Sequence, residues 1–405
     1  MNKRKWNERK LSDIATMIDY RGKTPQKSSR GIPLITAKIV KNGTILPANE
    51  FIAENQYASW MTRGYPCVGD VVMTTEAPLG EVAQLRDAHV ALAQRIITIR
   101  GKKDVLDNGY LKYFLQSAEG QGRLRARETG TTVTGIKAAE LRELMIPLPD
   151  IVQQRKISKV LLDLDEKIYN LTQINHNLEE QAKAIFKSWF VDFSALEVQE
   201  FFDNNGVLVP EGWDVSCLTN IADYLNGLAM QKYRPDDGDV GYPVLKIKEL
   251  RQGMCDRDSE RCSTISVKPE YIVHDGDVIF SWSGSLLVDF WCGGDCGLNQ
   301  HLFKVTSTKF DKWFYYSWTL HHLNEFIAIA ADKATTMGHI KRENLQAAAV
   351  LIPPENIYNE IGKLLGPIYE SIVRNRVESK RLAQLRDTLL PKLMSGEIDV
   401  SEVEI

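Results

Sequence analysis

Two long stretches of the chain carry apolar residues at alternating spacings of four and three. The first begins at Asp150 and runs through Ile157, Leu161, Leu164, Ile168, Leu171, Leu178, Ala182, Ile185 and Trp189, with Asn175 in the one skipped slot. A seam sustained this long, with charged and amide residues between, predicts a coiled-coil helix rather than an ordinary surface helix. Asp150 suits the N-cap, and Gln153 follows three residues on. The second stretch opens at Pro353-Pro354-Glu355 and has its seam at Ile361, Leu365, Ile368, Ile372, Leu382, Leu389 and Leu393. Pro391 and Gly396 are expected to end it. Asn175 in one seam, and Asn375 with Ser379 in the other, read either as solvated surface or as polar layers that set register. Two such seams in one chain most simply pair with each other, antiparallel if the preceding parts are related by a two-fold. Ahead of each helix the pattern is different. Short runs rich in β-branched residues, such as Ile32 to Ile35, Asp70 to Thr74 and Arg95 to Ile99, are broken by Gly and Pro, which predicts a mixed α and β domain.

These two blocks are copies of one another. Trp6, Leu11 and Ile14 return as Trp213, Leu218 and Ile221, each 207 residues later. Gly69-Asp70-Val71-Val72 returns as Gly276-Asp277-Val278-Ile279, and Leu92-Ala93-Gln94-Arg95 as Leu298-Asn299-Gln300-His301. Thr131-Thr132 with Ile136-Lys137 returns as Thr335-Thr336 with Ile340-Lys341, and Pro149 as Pro353 at an offset of 204, so small loop indels separate the copies. The expected fold class is α+β: two repeated mixed α/β domains, at 1–149 and at 194–353 with its linker, separated by long helices at 150–193 and 354–396 that form an antiparallel coiled coil. A tail occupies 397–405.

Composition narrows the function. With 405 residues, 43% hydrophobic and 25% charged, the chain can bury full cores, which rules out a disordered or fibrous protein. The absence of an apolar run of about 18 residues, and of an apolar leader after MNKRKWNERK, predicts a soluble, cytoplasmic protein with no membrane association. Six cysteines, five of them beyond residue 216, do not make a disulfide framework, and reduced thiols are expected. Fifty basic residues against 53 acidic ones give a net charge of -3, so any surface for a polyanion must be local.

Several segments carry a family resemblance. MIPLPDIVQQRKISKVL at 145–161, AIFKSWFVDF at 184–193 and LRDTLLPKLMSGEIDV at 385–400, with LSDIATMIDYRGKTP and IPLITAKIV near the start, resemble the specificity subunits of type I restriction-modification systems. The resemblance covers the whole chain in its order of domain, helix, domain, helix. It implies that each domain is a target-recognition domain reading one half of a split, asymmetric site on double-stranded DNA. It implies that the helices form a spacer docking two methyltransferase subunits, with restriction subunits joining the complex. It also implies that this chain carries no cofactor, S-adenosylmethionine, ATP and Mg being held by the partners.

The residues agree with a chain that borrows its chemistry. There is no GxxxxGK[ST] phosphate loop and no GxGxxG between a strand and a helix. Pro353-Pro354 is preceded by Ile352 and followed by Glu355, unlike the Asn or Asp, two prolines and aromatic residue of an adenine methyltransferase. Cys292 and Cys296, with Cys255, Cys262, His274 and His301, lack a second matched pair for zinc, so no metal site and no catalytic residue are expected. The alternative readings are a coiled-coil adaptor with two protein-binding modules and, third, a thiol or zinc enzyme.

DNA contact must then come from local patches. Residues 1–30 hold nine basic residues, among them Arg21, Lys23 and Lys27, against three acidic ones. Arg123, Arg125 and Arg127 lead into GTTVTGIK, which offers Thr131, Thr132 and Lys137. The second copy offers Lys232 and Arg234, Lys246 and Lys248, Thr335 and Thr336, and Lys341 beside His339. The sharpest base-reading candidates are Gln94-Arg95 and Asn299-Gln300-His301, whose amide and guanidinium groups can pair bidentately with purine edges or serve the fold's own backbone. Trp282, between two serines, suits a core position more than a base-stacking one.

Overall fold

The computed structural model describes residues 6–130, 134–196, 200–204, 207–332 and 338–404. The chain divides into two units that do not follow chain order: Met1–Lys167 with Leu382–Ile405, and Ile168–Arg381. Each long helix is therefore shared between the units.

The first unit is built on a four-stranded antiparallel sheet of β1 (Ala15–Asp19), β2 (Val71–Thr75), β3 (Leu79–Gln84) and β4 (Ile96–Gly101), in the order β1-β4-β2-β3. Alternation along β2 and β4 sends side chains to both faces. Val71, Met73, Ile97 and Ile99 enter one core with Tyr110 and Phe114 of α1 (Asn108–Gln116). Val72 and Ile96 enter another with Ile32, Leu34 and Ile35. With both faces covered, strands of β-branched residues are buried along their length, and the loops at the strand ends are left at the surface. Asp107 caps α1, its carboxylate accepting from the Tyr110 N–H at 2.9 Å.

The second unit repeats the plan with β5 (Asp223–Asn226), β6 (Val278–Ser281), β7 (Leu287–Phe290) and β8 (Leu302–Thr306), in the order β5-β8-β6-β7, backed by α2 (Lys312–His321). The smaller sheets also correspond. Leu34 and Ile35 pair in parallel with Ala91 and Leu92, as Val244 and Leu245 do with Gly297 and Leu298.

The long helices span Ile151–Phe190 and Glu355–Met394. Asp150 caps the first, accepting from the Gln153 N–H at 2.9 Å. None of the expected seam residues is exposed. In the first unit Ile157 and Leu161 share a core with Leu393 and with part-buried Leu389, and Leu164 is part-buried. There Asp165 meets Arg386 while Lys156, further back, bonds the Ser401 carbonyl, so one strand of the pair ascends as the other descends. In the second unit Ala182, Trp189, Ile361, Leu365 and Ile372 share a core, with Leu178, Ile185 and Ile368 packed against it. Ile168, Leu171 and Leu382 complete the seam.

The asparagines of the polar interruption form a hydrogen-bonded layer, Asn175 buried and Asn375 part-buried. The Asn375 side-chain amide donates to the Asn175 carbonyl oxygen at 2.9 Å, and Asn175 donates to the Ile372 backbone carbonyl at 3.1 Å. A slip of either helix would strand a buried amide, so this layer sets register. Pro391 does not end the second helix. Near a C-terminus proline removes one backbone hydrogen bond, and the helix continues to Met394; the stop is Gly396, at φ 70° with the Glu397 N–H bonded to the Lys392 carbonyl at 2.9 Å. No helix among the described residues is long and apolar enough to cross a membrane.

Candidate nucleic-acid interface

In the first unit the end of β2 and the start of β4 form one surface. The Thr75 N–H donates to the Arg95 carbonyl at 3.0 Å, and the next residue, Glu76, forms an ion pair with the Arg95 guanidinium at 3.0 Å. Glu76 also bridges to Gly135, and the Ile136 N–H donates to the Thr75 carbonyl at 3.0 Å, so the segment leading to Lys137 is stitched to the strand end. Arg21 joins from the end of β1, donating to Asp19 at 2.8 Å and to the Ile136 carbonyl at 3.0 Å. Burial works against the Asp19 carboxylate, but the hydrogen bonds and charge of Arg21 outweigh it and hold the group below its ordinary value. Thr24 donates to the Gln94 amide oxygen at 3.3 Å and Lys23 to Thr62 at 3.3 Å. The fold thus brings Arg21, Lys23, Gln94, Arg95 and Lys137 together from three segments, around the strand end at Thr75 and Glu76.

Other basic candidates are placed differently. Arg123 donates to the Met145 carbonyl, Glu8 and Glu119, which ties the helix Ala118–Arg125 to the paired strands Asn7–Lys10 and Met145–Leu148 and spends its donors on the fold. Arg127 pairs with Glu140 at 3.0 Å and Lys27 with Glu50 at 2.8 Å. Arg125 and Lys137 are exposed and form no ion pair among the described residues. Thr131, Thr132, Thr335 and Thr336 lie outside the described residues.

The second unit holds the equivalent surface with different chemistry. Trp282 follows β6, and its indole N–H donates to the Asn226 side-chain oxygen at 2.9 Å. Its ring lies 6.0 Å from His301, 5.8 Å from Phe303 and 6.3 Å from His339. Trp282 is neither core nor free: it is half-buried, with its polar edge satisfied. Ser283 Oγ lies 3.1 Å from His301 Nδ1 and bridges by its backbone to His339, while Gln300 Nε2 lies 3.4 Å from His301 Nε2. Asn299 is buried, and its side chain accepts from the His301 N–H at 3.4 Å, so its amide shapes the turn. Lys246 and Lys248 pair with Glu260 at 2.6 Å and Asp256 at 2.9 Å. Lys232, Arg234 and Lys341 are exposed without an ion pair among the described residues.

Sequence reasoning missed Asp19, Glu76, Asn226 and Ser283. The repeat could have found them, because Asp19 and Glu76 stand 207 residues before Asn226 and Ser283. Among the described residues no three His, Cys, Asp or Glu side chains converge as a metal site.

The repeat and its paired surfaces coincide with a known domain occurring twice. The model of the type I restriction modification DNA specificity domain matches residues 3–180 and again 210–385. The chain belongs to this family of type I specificity subunits. It is similar to the MjaIX specificity subunit of Methanocaldococcus jannaschii, 27% identical over 421 residues covering 98% of this chain and 94% of the relative. It is also similar to the HindI specificity subunit of Haemophilus influenzae, 21% identical over 356 residues covering 73% of this chain and 76% of that one. A crystal structure of the type I S subunit from M. genitalium shares the fold at a TM-score of 0.61, with 14% identity and 97% of each chain covered. A type I specificity subunit is a non-catalytic DNA-recognition chain whose partner subunits supply the catalysis.

Proposed function

We propose that the chain reads a split, asymmetric site on double-stranded DNA, each unit reading one half through the loops at its central strand ends. The supporting observation is that positions equivalent by the repeat carry different chemistry on the same backbone connections: Glu76 and Arg95 in one unit, Ser283 and His301 in the other. Two surfaces alike in frame and unlike in donors and acceptors suit two different short sequences. In this reading residues 1–149 and 194–353 are the target-recognition domains, 150–193 and 354–396 the spacer helices, and 397–405 a tail. Two methyltransferase subunits and the restriction subunits are the partners. S-adenosylmethionine, ATP and Mg reside on those partners, and the complex is cytoplasmic.

Selection from a randomised duplex pool tests the split site. Replacing Gln94 and Arg95 with Ala should relax one half of the preferred site and leave the other unchanged; relaxation of both halves, or of neither, contradicts the reading. A protein-binding adaptor would show little salt dependence with DNA, because few counterions would be released. Titrating the isolated chain with S-adenosylmethionine should give neither stoichiometric binding nor methyl transfer.

A further inference from the structure

The exposed pair Arg95 and Glu76 lacks a structural reason to exist. Their side chains are 57% and 41% exposed, and such ion pairs contribute little to stability. The second unit keeps the same frame without one: Ile340 donates to the Trp282 carbonyl as Ile136 does to Thr75, and Ser283 bridges His339 as Glu76 bridges Gly135. The closest approach of the pair is between Arg95 Nε and Glu76 Oε1. The Arg95 terminal nitrogens make no hydrogen bond among the described residues and the side chain is more than half exposed, so the guanidinium fork is free for a ligand while the carboxylate stays beside it.

We propose that Arg95 and Glu76 act as one reader of a single G·C base pair in the first half-site, Arg95 donating to guanine N7 and O6 and Glu76 accepting from the cytosine N4 amino group. In the major groove these are neighbouring groups of one base pair, and no other pair presents two adjacent acceptors beside an amino donor in that order. The ion pair solves a problem each residue would have alone. A bare carboxylate entering the groove is repelled by the phosphates, and Arg95 offsets that charge. An unpaired arginine must be ordered on binding, and Glu76 restricts it beforehand from a backbone fixed by the Gly135 bridge. Glu76 is thereby a specificity-determining residue for rejecting pairs that present an acceptor where cytosine presents its amino group. This rests on the DNA-reading role proposed for the first unit.

The test uses the full-length chain, as parent, Arg95→Lys and Glu76→Gln, in selection from a randomised duplex pool, with thermal melts to confirm folding. Arg95→Lys keeps the charge and loses the fork. The expected result is a parent motif with a required G·C in one half-site, and a preference there that falls roughly 5- to 150-fold in both variants, the other half-site unchanged. Substitutions that alter different positions, or variants that both retain the full parent motif, overturn the proposal while leaving a DNA-reading chain intact. A parent that enriches no motif overturns the reading itself and this inference with it.

Discussion

Arg386 of the second long helix donates to Asp165 of the first at 2.8 Å. Asp165 also accepts from Lys112 and, at 2.6 Å, from Tyr113, both on α1, so one carboxylate ties two helices to the recognition domain. Burial works against this carboxylate, but Lys112, Tyr113 and Arg386 outweigh it and hold it below the usual range. Asp165→Ala would leave Lys112, whose side chain is 5% exposed, without its partner. A cost of about 3–5 kcal/mol is expected in urea unfolding. Because the folded-state value is lowered, the stabilisation is present above the unfolded value of about 4 and is lost as pH falls through the folded one. The difference in melting temperature between the parent and Asp165→Ala should therefore begin to narrow as pH falls below about 4 and continue to narrow through the lower folded-state value.

The two docking sites between domain and helix are filled in opposite ways. Gly109 of α1 sits against Ser158 and Leu162, whereas the repeat-equivalent Trp313 of α2 sits against Gly362, with Gly366 open. A Cβ at Gly109 would lie 2.8 Å from the Ser158 Cβ, so Gly109→Ala should destabilise by about 1–3 kcal/mol despite alanine's better helix propensity. At Gly366 a Cβ meets nothing within 4 Å, and Gly366→Ala should stabilise by about 0.5–1 kcal/mol. Chemical denaturation of the two variants separates the signs.

Lys137 and Arg125 are exposed and free of ion pairs among the described residues. If each contacts a phosphate, replacing either with Ala should reduce the slope of log affinity against log salt by about 0.9 and leave the preferred sequence unchanged. Arg123→Ala should instead lower stability, because its guanidinium holds the Met145 carbonyl, Glu8 and Glu119. Affinity measured across a salt series, beside melting curves, distinguishes the two classes.

Thiol reactivity should follow burial. Cys67 is exposed, while Cys292 is buried and its thiol is pushed up to about 11 by burial. A thiol-specific reagent on native protein at neutral pH should label Cys67 first and Cys292 only after unfolding. Peptide mapping of the labelled chain reads the order, and early labelling of Cys292 would contradict the packing described.

The sequence by itself determined the two seams, the duplicated α+β domain and the cap at Asp150, because periodicity and internal repetition are local or self-comparing signals. Gln94 and Arg95 were legible as candidates for the same reason, lying at a signpost common to both copies. The sequence could not say that Arg123 is spent on Met145 and Glu8, since those partners are far away along the chain. Nor could it join Glu76 to Arg95, or Asn226 to Trp282, whose contacts exist only once separate strand ends are laid side by side. The end of the second helix was also a tertiary matter. Proline near a C-terminus costs one hydrogen bond, and burial of Leu393 and Met394 in the first unit's core outweighs it, so packing carries the helix past Pro391.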